Sequence, residues 1–195
     1  VYANCNTRVG FEGSFYVLKA DQPWDAGDPL VKKFPHLFDK QPTRVGRSVA
    51  RAGVRRMVIL NSHGGQMQLI EVVARRLRIE AGMFVVSCHW PRLWEGDPRV
   101  GAVEERHGIH GGQVETAVML HLAPERVRMD RAETFRSWGE AIDQANAILV
   151  PEGDVGFGWM AHDLNPKGAV GDATKATADL GADIVESVAG RLVAL

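Results

Sequence analysis

The ten residues from Met57 to Gln66 constrain the fold more than any other part of the chain. They read Met-Val-Ile-Leu-Asn-Ser-His-Gly-Gly-Gln, so an apolar run of strand length ends abruptly in polar residues and glycine. Apolar residues then recur three and four positions apart, which predicts a strand, a tight turn and a helix. Ligands of open parallel sheets bind beyond the carboxyl ends of the strands, so His63 is a candidate site residue. Gly64 and Gly65 would let the backbone approach a ligand closely.

The segments on either side of this stretch continue an alternation of helices and strands. The predicted elements are a helix over 42–53, a strand over 54–61, a helix over 66–81 ended by Gly82, and a buried strand over 83–90. This order is that of a βαβ unit, which requires a parallel sheet with a right-handed crossover. The residues therefore predict an α/β fold in which the strands ending near Asn61 and Trp90 are neighbours, with His63 at their carboxyl edge.

The second half of the chain predicts helices separated by long irregular segments. Residues 91–109 are predicted as a loop, 110–122 as a helix opened by Gly111 and Gly112, 132–149 as a helix, 152–171 as a loop, and the residues after Asp172 as a final helix capped by that side chain. On the final helix, apolar residues recur on one face, at Ala176, Leu180, Ile184, Val188 and Leu192. Residues 1–41 are predicted to be mostly loop, with one strand over 14–20.

Length and composition favour one soluble domain over residues 1–195. The chain has 195 residues, of which 45% are apolar, enough for one sizeable core. A net charge of −1 gives no basic field for nucleic acid, and no apolar run is long enough to span a bilayer. Cys5 and Cys88 lie far apart and nothing at the start resembles a signal peptide, so a cytoplasmic location is predicted. The missing initiator Met leaves an upstream start open.

A second group of candidate residues follows at His110, where the sequence reads His-Gly-Gly-Gln-Val-Glu-Thr. His110 falls on the last loop residues and Glu115 in the first turns of a helix, so both side chains can face one crevice. Imidazole and carboxylate bind zinc, manganese or iron, and they also carry protons. The structural alternatives are a turn histidine that bonds a nearby backbone group, and a Glu that favours the positive end of its helix.

Together the two motifs resemble the signatures of the creatininase, or creatinine amidohydrolase, family. Asn61-Ser-His-Gly-Gly-Gln is similar to the family's Asn-Gly-His-Gly-Gly-Asn, and the segment from His110 is similar to its His-Ala-Gly-Glu-x-Glu-Thr. Residues 156–159, Asp163 and 168–172 resemble its closing segment. The likeness covers about residues 44–195, whereas residues 1–43 are atypical, and two ordered motifs are far more specific than either alone.

The resemblance implies a metal-dependent amidohydrolase with a creatininase-like three-layer α/β/α fold and a mainly parallel sheet. By position, His63 would be a metal ligand, His110 the proton-transfer residue and Glu115 a supporting or helix-anchoring acid, while Gln113 stands where members place an acidic metal ligand. The implied cofactor is a divalent ion such as zinc, manganese or iron, which lowers the pKa of bound water. The implied partners are a small amide or cyclic amide and further copies of the chain, often as a hexamer.

Two departures from the family pattern reduce the predicted metal site. The usual N-terminal segment, Glu-x-His-Gly followed by an Asp, has no counterpart in residues 1–41, and Gln113 offers a neutral oxygen in place of a carboxylate. The sequence therefore predicts less than a full pair of metals. It also predicts that Gln113→Glu raises metal affinity if residue 113 and His63 face one site. The competing interpretation is a catalytically silent member that forms oligomers or binds a small molecule.

Trp90 and Trp159 are the candidate walls of a substrate pocket, together with the Gly64-Gly65 turn. Tryptophans near strand ends are more commonly part of the core or its rim, which is the structural alternative. Phosphate binding by Gly64 and Gly65 is disfavoured, because the lysine and hydroxyl residues that normally follow such a loop are absent.

Overall fold

The computed structural model of the chain describes residues 41–145 and 148–195. These residues belong to two compact units, one containing residues 41–92 and the other residues 93–195. The strand predicted over residues 14–20 lies outside the described residues. Along the part of the chain that the structure describes, no helix is both long and apolar enough to cross a membrane.

The 41–92 unit is a helix followed by a parallel βαβ segment. Its elements are helix α1 (Gln41–Arg51), strand β1 (Arg56–Asn61), helix α2 (Met67–Ala81) and strand β2 (Phe84–His89), with a short 3-10 turn at Gly64–Gln66. The strands pair in parallel register from Arg56 opposite Phe84 to Asn61 opposite His89. The α/β class, the parallel pairing and the position of His63 just beyond the end of β1 are therefore confirmed.

Helix α2 ends where the sequence predicts. Gly82 adopts the left-handed region at φ +63°, and its N–H donates to the carbonyl of Leu77, which closes the last turn. Glycine at residue 46 lets helix α1 pack closely on α2. A Cβ there would overlap the Leu77 side chain. Ala50, Val73, Leu77 and Met83 form a buried core cluster of this unit.

The second strand is not buried on both faces, so that prediction is wrong. Met57, Ile59 and Val85 pack against the core that the two helices form on one side of the pair. On the other face, Val58 is 49% exposed and Phe84 is 63% exposed. A run of apolar residues therefore identifies these segments as strands, but only one of their faces is covered by the helices of this unit.

The 93–195 unit consists of helices around very short strands. Its elements are α3 (Ala102–His107), α4 (Gln113–Leu122), β3 (Thr134–Phe135), α5 (Trp138–Ala145), α6 (Ala161–Leu164), β4 (Gly171–Asp172) and α7 (Ala178–Val193). Strands β3 and β4 are antiparallel. Helix α4 packs closely on α7, and glycine at residue 181 allows this approach. A Cβ there would overlap the carbonyl oxygen of Ala117. Leu180 and Ile184 are buried on α7, as predicted, whereas Ala176 of the predicted apolar face lies before the helix begins.

Several of the predicted segments in this unit have different boundaries. The loops predicted over 91–109 and 152–171 contain helices α3 and α6. The helices predicted over 110–122 and 132–149 begin only at Gln113 and Trp138. Residues 134–135 instead extend to pair with β4. Local sequence does not distinguish these outcomes, because both short strands exist only through pairing with residues far along the chain.

Asp172 does not cap the final helix, contrary to the prediction. Its carboxylate accepts the N–H of Thr174 and caps the short 3-10 turn Ala173–Lys175. The final helix begins after Thr177, whose hydroxyl accepts the N–H of Leu180 at 3.2 Å. Asp and Thr are both strong N-cap residues, so the helix uses the one nearer to its first turn.

Candidate functional site

The turn after β1 is organised by the side chain of Asn61. This residue is 3% exposed, and its Nδ2 donates to the carbonyl oxygen of His63 at 2.7 Å. Its Oδ1 accepts from Nε2 of Gln66 at 2.6 Å and from the N–H of His63 at 3.3 Å. The buried amide is thereby satisfied on both sides. Asn61 thus fixes the turn that carries His63 at the carboxyl end of the strand.

His89, at the end of β2, completes this arrangement and was missed by sequence reasoning. Its Nδ1 lies 3.3 Å from Nδ2 of Asn61 and 3.3 Å from the Asn61 carbonyl oxygen. Burial lowers the pKa of His89, and the charges of Arg92 and His63 act in the same direction, against a hydrogen bond with the Asn61 backbone. The neutral imidazole is therefore favoured. The available signal was strand register, since residues 61 and 89 are direct partners.

The predicted substrate-contact residues are divided between the units. Gly64 and Gly65 lie in the 3-10 turn beside His63, and Trp90 begins a second such turn at Trp90–Leu93. A Cβ on Gly65 would meet nothing within 4 Å, so packing does not require glycine at that position. Trp159 belongs to the 93–195 unit, where its Nε1 donates to the carbonyl of Pro151 at 2.8 Å.

His110 is held at the entry to α4 by its backbone and by Glu115. Its carbonyl accepts the N–H of Val170 at 2.7 Å, and its N–H donates to Val170 at 3.4 Å. Its Nδ1 lies 3.9 Å from Oε2 of Glu115, and the same carboxylate oxygen accepts the N–H of Gly111 at 2.6 Å. Gly111 has φ +67°, a conformation that favours glycine. The structure therefore brings His110 and Glu115 together, and Glu115 anchors the loop.

Gln113, the first residue of α4, is 2% exposed and supports the fold through its amide nitrogen. Nε2 donates to the carbonyls of Arg99 and Lys175, at 3.1 Å and 3.3 Å. These two bonds fix which way the amide points, because a flipped amide would set its oxygen against two carbonyls. The oxygen Oε1 has no hydrogen-bond partner among the described residues. Gln113 therefore offers one neutral oxygen that could accept a donor or a cation.

Glu104, on α3, contacts the same helix start and was also missed. Its Oε1 accepts the N–H of Gln113 at 2.6 Å, and its Oε2 accepts the N–H of Asp172 at 2.6 Å. Burial raises the pKa of Glu104, although the two backbone hydrogen bonds oppose that shift. Glu104 and Gln113 both line a cavity of about 600 Å³. The helix-forming run Ala-Val-Glu-Glu-Arg-His after Gly101 was the signal for α3.

The described residues do not form a complete metal centre by themselves. Within residues 41–145 and 148–195, no group of three or more His, Cys, Asp or Glu side chains is arranged to hold a metal ion. His63 lies in the 41–92 unit, whereas His110 and Gln113 lie in the other. The donor set in this part of the chain therefore does not fit the two-metal site that the family resemblance implies.

Comparison with known sequences identifies peptidases as relatives. A mycofactocin precursor peptide peptidase from Mycobacterium ulcerans (strain Agy99) is 32% identical over 154 residues, which cover 75% of this chain and 51% of that protein. A protein of the same name from Mycobacterium tuberculosis (strain CDC 1551 / Oshkosh) is 33% identical over 136 residues, covering 68% and 44%. The chain thus spans about half the length of these relatives.

Solved structures with the same fold are creatininase-like. A candidate creatinine amidohydrolase from Bacteroides fragilis NCTC 9343 has a TM-score of 0.66 at 22% identity, covering 95% of this chain and 76% of that one. A creatininase variant complexed with creatine has a TM-score of 0.52 at 26% identity, covering 78% and 60%. Another creatininase variant, of the Zn-Zn type, has a TM-score of 0.53 at 24% identity, covering 78% and 59%. The predicted creatininase-like fold is confirmed.

The family itself follows from sequence. The family model described as creatinine amidohydrolase matches residues 35–195, which include both motifs and most of the chain. Two relatives are more than 30% identical over more than two thirds of the chain. The chain belongs to the creatininase family.

Proposed function

We propose that this chain hydrolyses an amide C–N bond, with a peptide as its first candidate substrate and a small or cyclic amide as the second. The observation that carries the proposal is the arrangement around His110, an imidazole on a fixed loop with a carboxylate beside it. Membership of a family described as creatinine amidohydrolase supports amide chemistry. The relatives named as peptide peptidases favour a peptide over creatinine.

In this reaction water adds to the amide carbonyl carbon, the C–N bond breaks, and the leaving nitrogen takes up a proton. His110 is the proposed proton carrier, because imidazole both accepts and donates a proton near neutral pH. Oε2 of Glu115 lies 3.9 Å from Nδ1 of the ring, and Nε2 is the proposed nitrogen for proton transfer. The Glu115 carboxylate also accepts the N–H of Gly111, which keeps the loop close to that carboxylate.

A divalent metal ion is the proposed cofactor, by analogy with the creatininase variant of the Zn-Zn type. Such an ion lowers the pKa of bound water, which supplies hydroxide near neutral pH. His63 is a proposed ligand in the 41–92 unit, and Oε1 of Gln113 is a proposed ligand in the 93–195 unit. No step of the reaction above depends on the ion, because the described residues do not complete its site.

The remaining family features are proposals for this chain as well. Trp90 and Trp159 are proposed substrate contacts, each in its own unit, together with Gly64 and Gly65. Assembly as a homo-oligomer, with the hexamer as the expected state, follows from the resemblance and is checked by light scattering at micromolar concentration.

The second candidate function is a catalytically silent family member that binds a small molecule or serves in an oligomer. The observation that favours it is the lack of any three-ligand cluster within the described ranges. Binding without turnover would distinguish this function from hydrolysis.

The test is an amide panel offered to the purified full chain with added zinc, manganese or iron. A peptide, creatinine and formamide are incubated separately, and the product of each is measured by mass spectrometry: peptide fragments, the ring-opened creatine, and formate with ammonia. We expect cleavage by the unaltered chain and a loss of about 100-fold or more in His110→Gln, as is typical when a proton carrier is removed. His121→Gln is the matched control, because His121 is an exposed histidine in the last turn of α4, the helix that the His110 loop enters. Peptide binding without cleavage would support the silent alternative.

A further inference from the structure

We propose that Glu104 is a positioning residue that holds the His110 loop in place by joining two separate backbone segments with one carboxylate. The segments are residues 110–113, which enter α4, and residues 170–172, which include β4. The structural part of this inference stands on contacts alone, whereas its consequence for catalysis rests on the proposed function of His110.

The two oxygens of Glu104 divide between these segments. Oε1 accepts the N–H of Gln113 and Oε2 accepts the N–H of Asp172, both at 2.6 Å. His110 and Val170 already form an isolated antiparallel bridge with hydrogen bonds in both directions. The two N–H groups that Glu104 accepts lie three residues after His110 and two residues after Val170. The carboxylate thus adds a second connection between the two segments, besides the bridge.

Three glycines make room for this carboxylate. A Cβ built on Gly108, Gly112 or Gly171 would overlap Oε1 of Glu104 in each case. Gly171 also has φ +121°, a conformation that other residues rarely adopt. A Cβ on Gly108 or Gly171 would also overlap backbone atoms, whereas at Gly112 the carboxylate is the main obstacle. Each glycine loses more conformational entropy on folding than another residue would. The close packing around the carboxylate must therefore offset that cost.

The contact needs a carboxylate and not merely a polar group. Two N–H donors converge on Glu104, and an ionised carboxylate has an acceptor oxygen for each of them. A glutamine of the same size has one acceptor oxygen and one NH₂ group, so one backbone N–H would face another donor. Glu104→Gln therefore breaks one side of the connection with almost no change in volume.

The connection matters for His110 because it links the start of α4 to a separate backbone segment. The His110 side chain is 33% exposed, so packing covers it only in part. Glu115 and Thr116 bond Gly111 from within α4 itself, so they move with that helix. Glu104 ties the start of α4 to residues 170–172 in addition to the bridge between His110 and Val170. Loss of this contact should let His110 depart from its position without unfolding the helix.

The experiment compares Glu104→Gln with Glu105→Gln in the full chain. Glu105 is the neighbouring, exposed carboxylate on the same helix, so its substitution matches the change in charge. The first readout is the imidazole NMR signals of His110, which need no substrate. We expect these signals to shift or broaden in Glu104→Gln and to stay unchanged in Glu105→Gln. Unchanged His110 signals in a folded Glu104→Gln protein would overturn the proposal.

The second readout is hydrolysis, split into kcat and KM. We expect kcat of Glu104→Gln to fall about tenfold while KM stays within about twofold, as for the loss of one charge-assisted hydrogen bond that positions a catalytic group. If the unaltered chain hydrolyses nothing on the panel, the proposed function fails but the NMR result still decides the role of Glu104. Equal losses in Glu104→Gln and Glu105→Gln would contradict a positioning role.

A chemical rescue keeps the inference testable if Glu104→Gln does not fold. Glu104→Ala leaves the glycine-lined space empty, and the cavity of about 600 Å³ that Glu104 lines gives a small carboxylate access to it. We expect acetate, but not chloride at equal ionic strength, to restore the His110 signals or, in an unfolded variant, the cooperative unfolding transition. Identical behaviour in acetate and chloride would overturn the proposal.

Discussion

Asn61 and His63 are joined twice across the turn that ends β1, because the Asn61 amide donates to the His63 carbonyl and accepts the His63 N–H. Asp at residue 61 would keep the acceptor but lose the donor, and it would bury a charge. We predict that Asn61→Asp lowers the free energy of unfolding by about 2 kcal/mol, measured by urea denaturation. Ser62→Asp adds the same group at the adjacent exposed position and should change stability little. Equal effects of the two substitutions would contradict this account.

A pH dependence follows from His89. Its pKa in the folded chain is lowered from the ordinary value of about 6.5, mainly by burial, so the unfolded chain binds more protons between the two values. The corresponding stability is fully present above about pH 6.5 and is lost as the pH falls through the folded pKa. We therefore expect the urea midpoint to drop on acidification below about pH 6.5. His89→Gln should reduce that drop, whereas His121→Gln should leave it as in the unaltered chain.

Gln113→Glu should destabilise the chain, because a carboxylate cannot donate to the carbonyls of Arg99 and Lys175. Two part-buried carbonyls would then lose their donor and a carboxylate would replace a buried amide, at a cost of about 2 kcal/mol. Gln144→Glu makes the same chemical change on the exposed side of α5 and is expected to be nearly neutral. Urea denaturation of both variants measures the difference, and a stable Gln113→Glu protein would show that the amide bonds contribute little.

Metal content tests the proposed ligands separately. Purified without added metal, the unaltered chain should hold less than a full pair of ions, since the described residues contain no three-ligand cluster. Elemental analysis should show a further loss in His63→Ala and no loss in His121→Ala. If Oε1 of Gln113 faces an ion, Gln113→Glu raises the metal content, because the carboxylate adds charge. Two tightly bound ions per unaltered chain would mean that ligands come from residues outside the described ranges.

Two glycines on helix α7 allow the packing of α4 on α7 to be tested by matched substitutions. A Cβ on Gly181 would overlap the backbone of Ala117, whereas a Cβ on Gly190 would meet nothing within 4 Å. We expect Gly181→Ala to lower the free energy of unfolding by about 1–3 kcal/mol through overpacking. Gly190→Ala should instead raise it by up to about 1 kcal/mol, because alanine is the better helix former. Thermal or urea denaturation that gave the same sign for both would contradict the close crossing.

Sequence predicted the parts of the fold in which local signals agree. The apolar run that ends at Asn61 and the helical pattern that stops at Gly82 each carry their own boundary, so β1 and α2 were placed correctly. The approach of His110 and Glu115 was also predictable, since the two are five residues apart at a helix start. Short separations along the chain leave few alternatives for how such residues meet.

The features that the sequence did not predict depend on contacts between residues far apart in the chain. Glu104 and Asp172 are 68 positions apart, and nothing in the local sequence of either indicates the other. The Asp172 cap was misplaced because the apolar spacing of α7 extends back to Ala176, which lies in the linking segment before Thr177. His89 and Asn61 meet only through strand register, which a single sequence fixes poorly.

The three glycines around Glu104 predict which positions can change together as related sequences diverge. Residue 171 must be glycine because of its positive φ. Residue 108 must be glycine because a Cβ there would overlap the backbone oxygen of residue 104 as well as its side chain. At Gly112 the severe overlap is with the Glu104 carboxylate, and the backbone neighbours leave about 3.0 Å or more. Loss of the acid would thus remove the severe overlap at residue 112 alone, leaving close contacts of 3.0 and 3.1 Å with the backbone of residues 171 and 170. Positions 104 and 112 should therefore be exchanged together during divergence, while 108 and 171 remain glycine regardless.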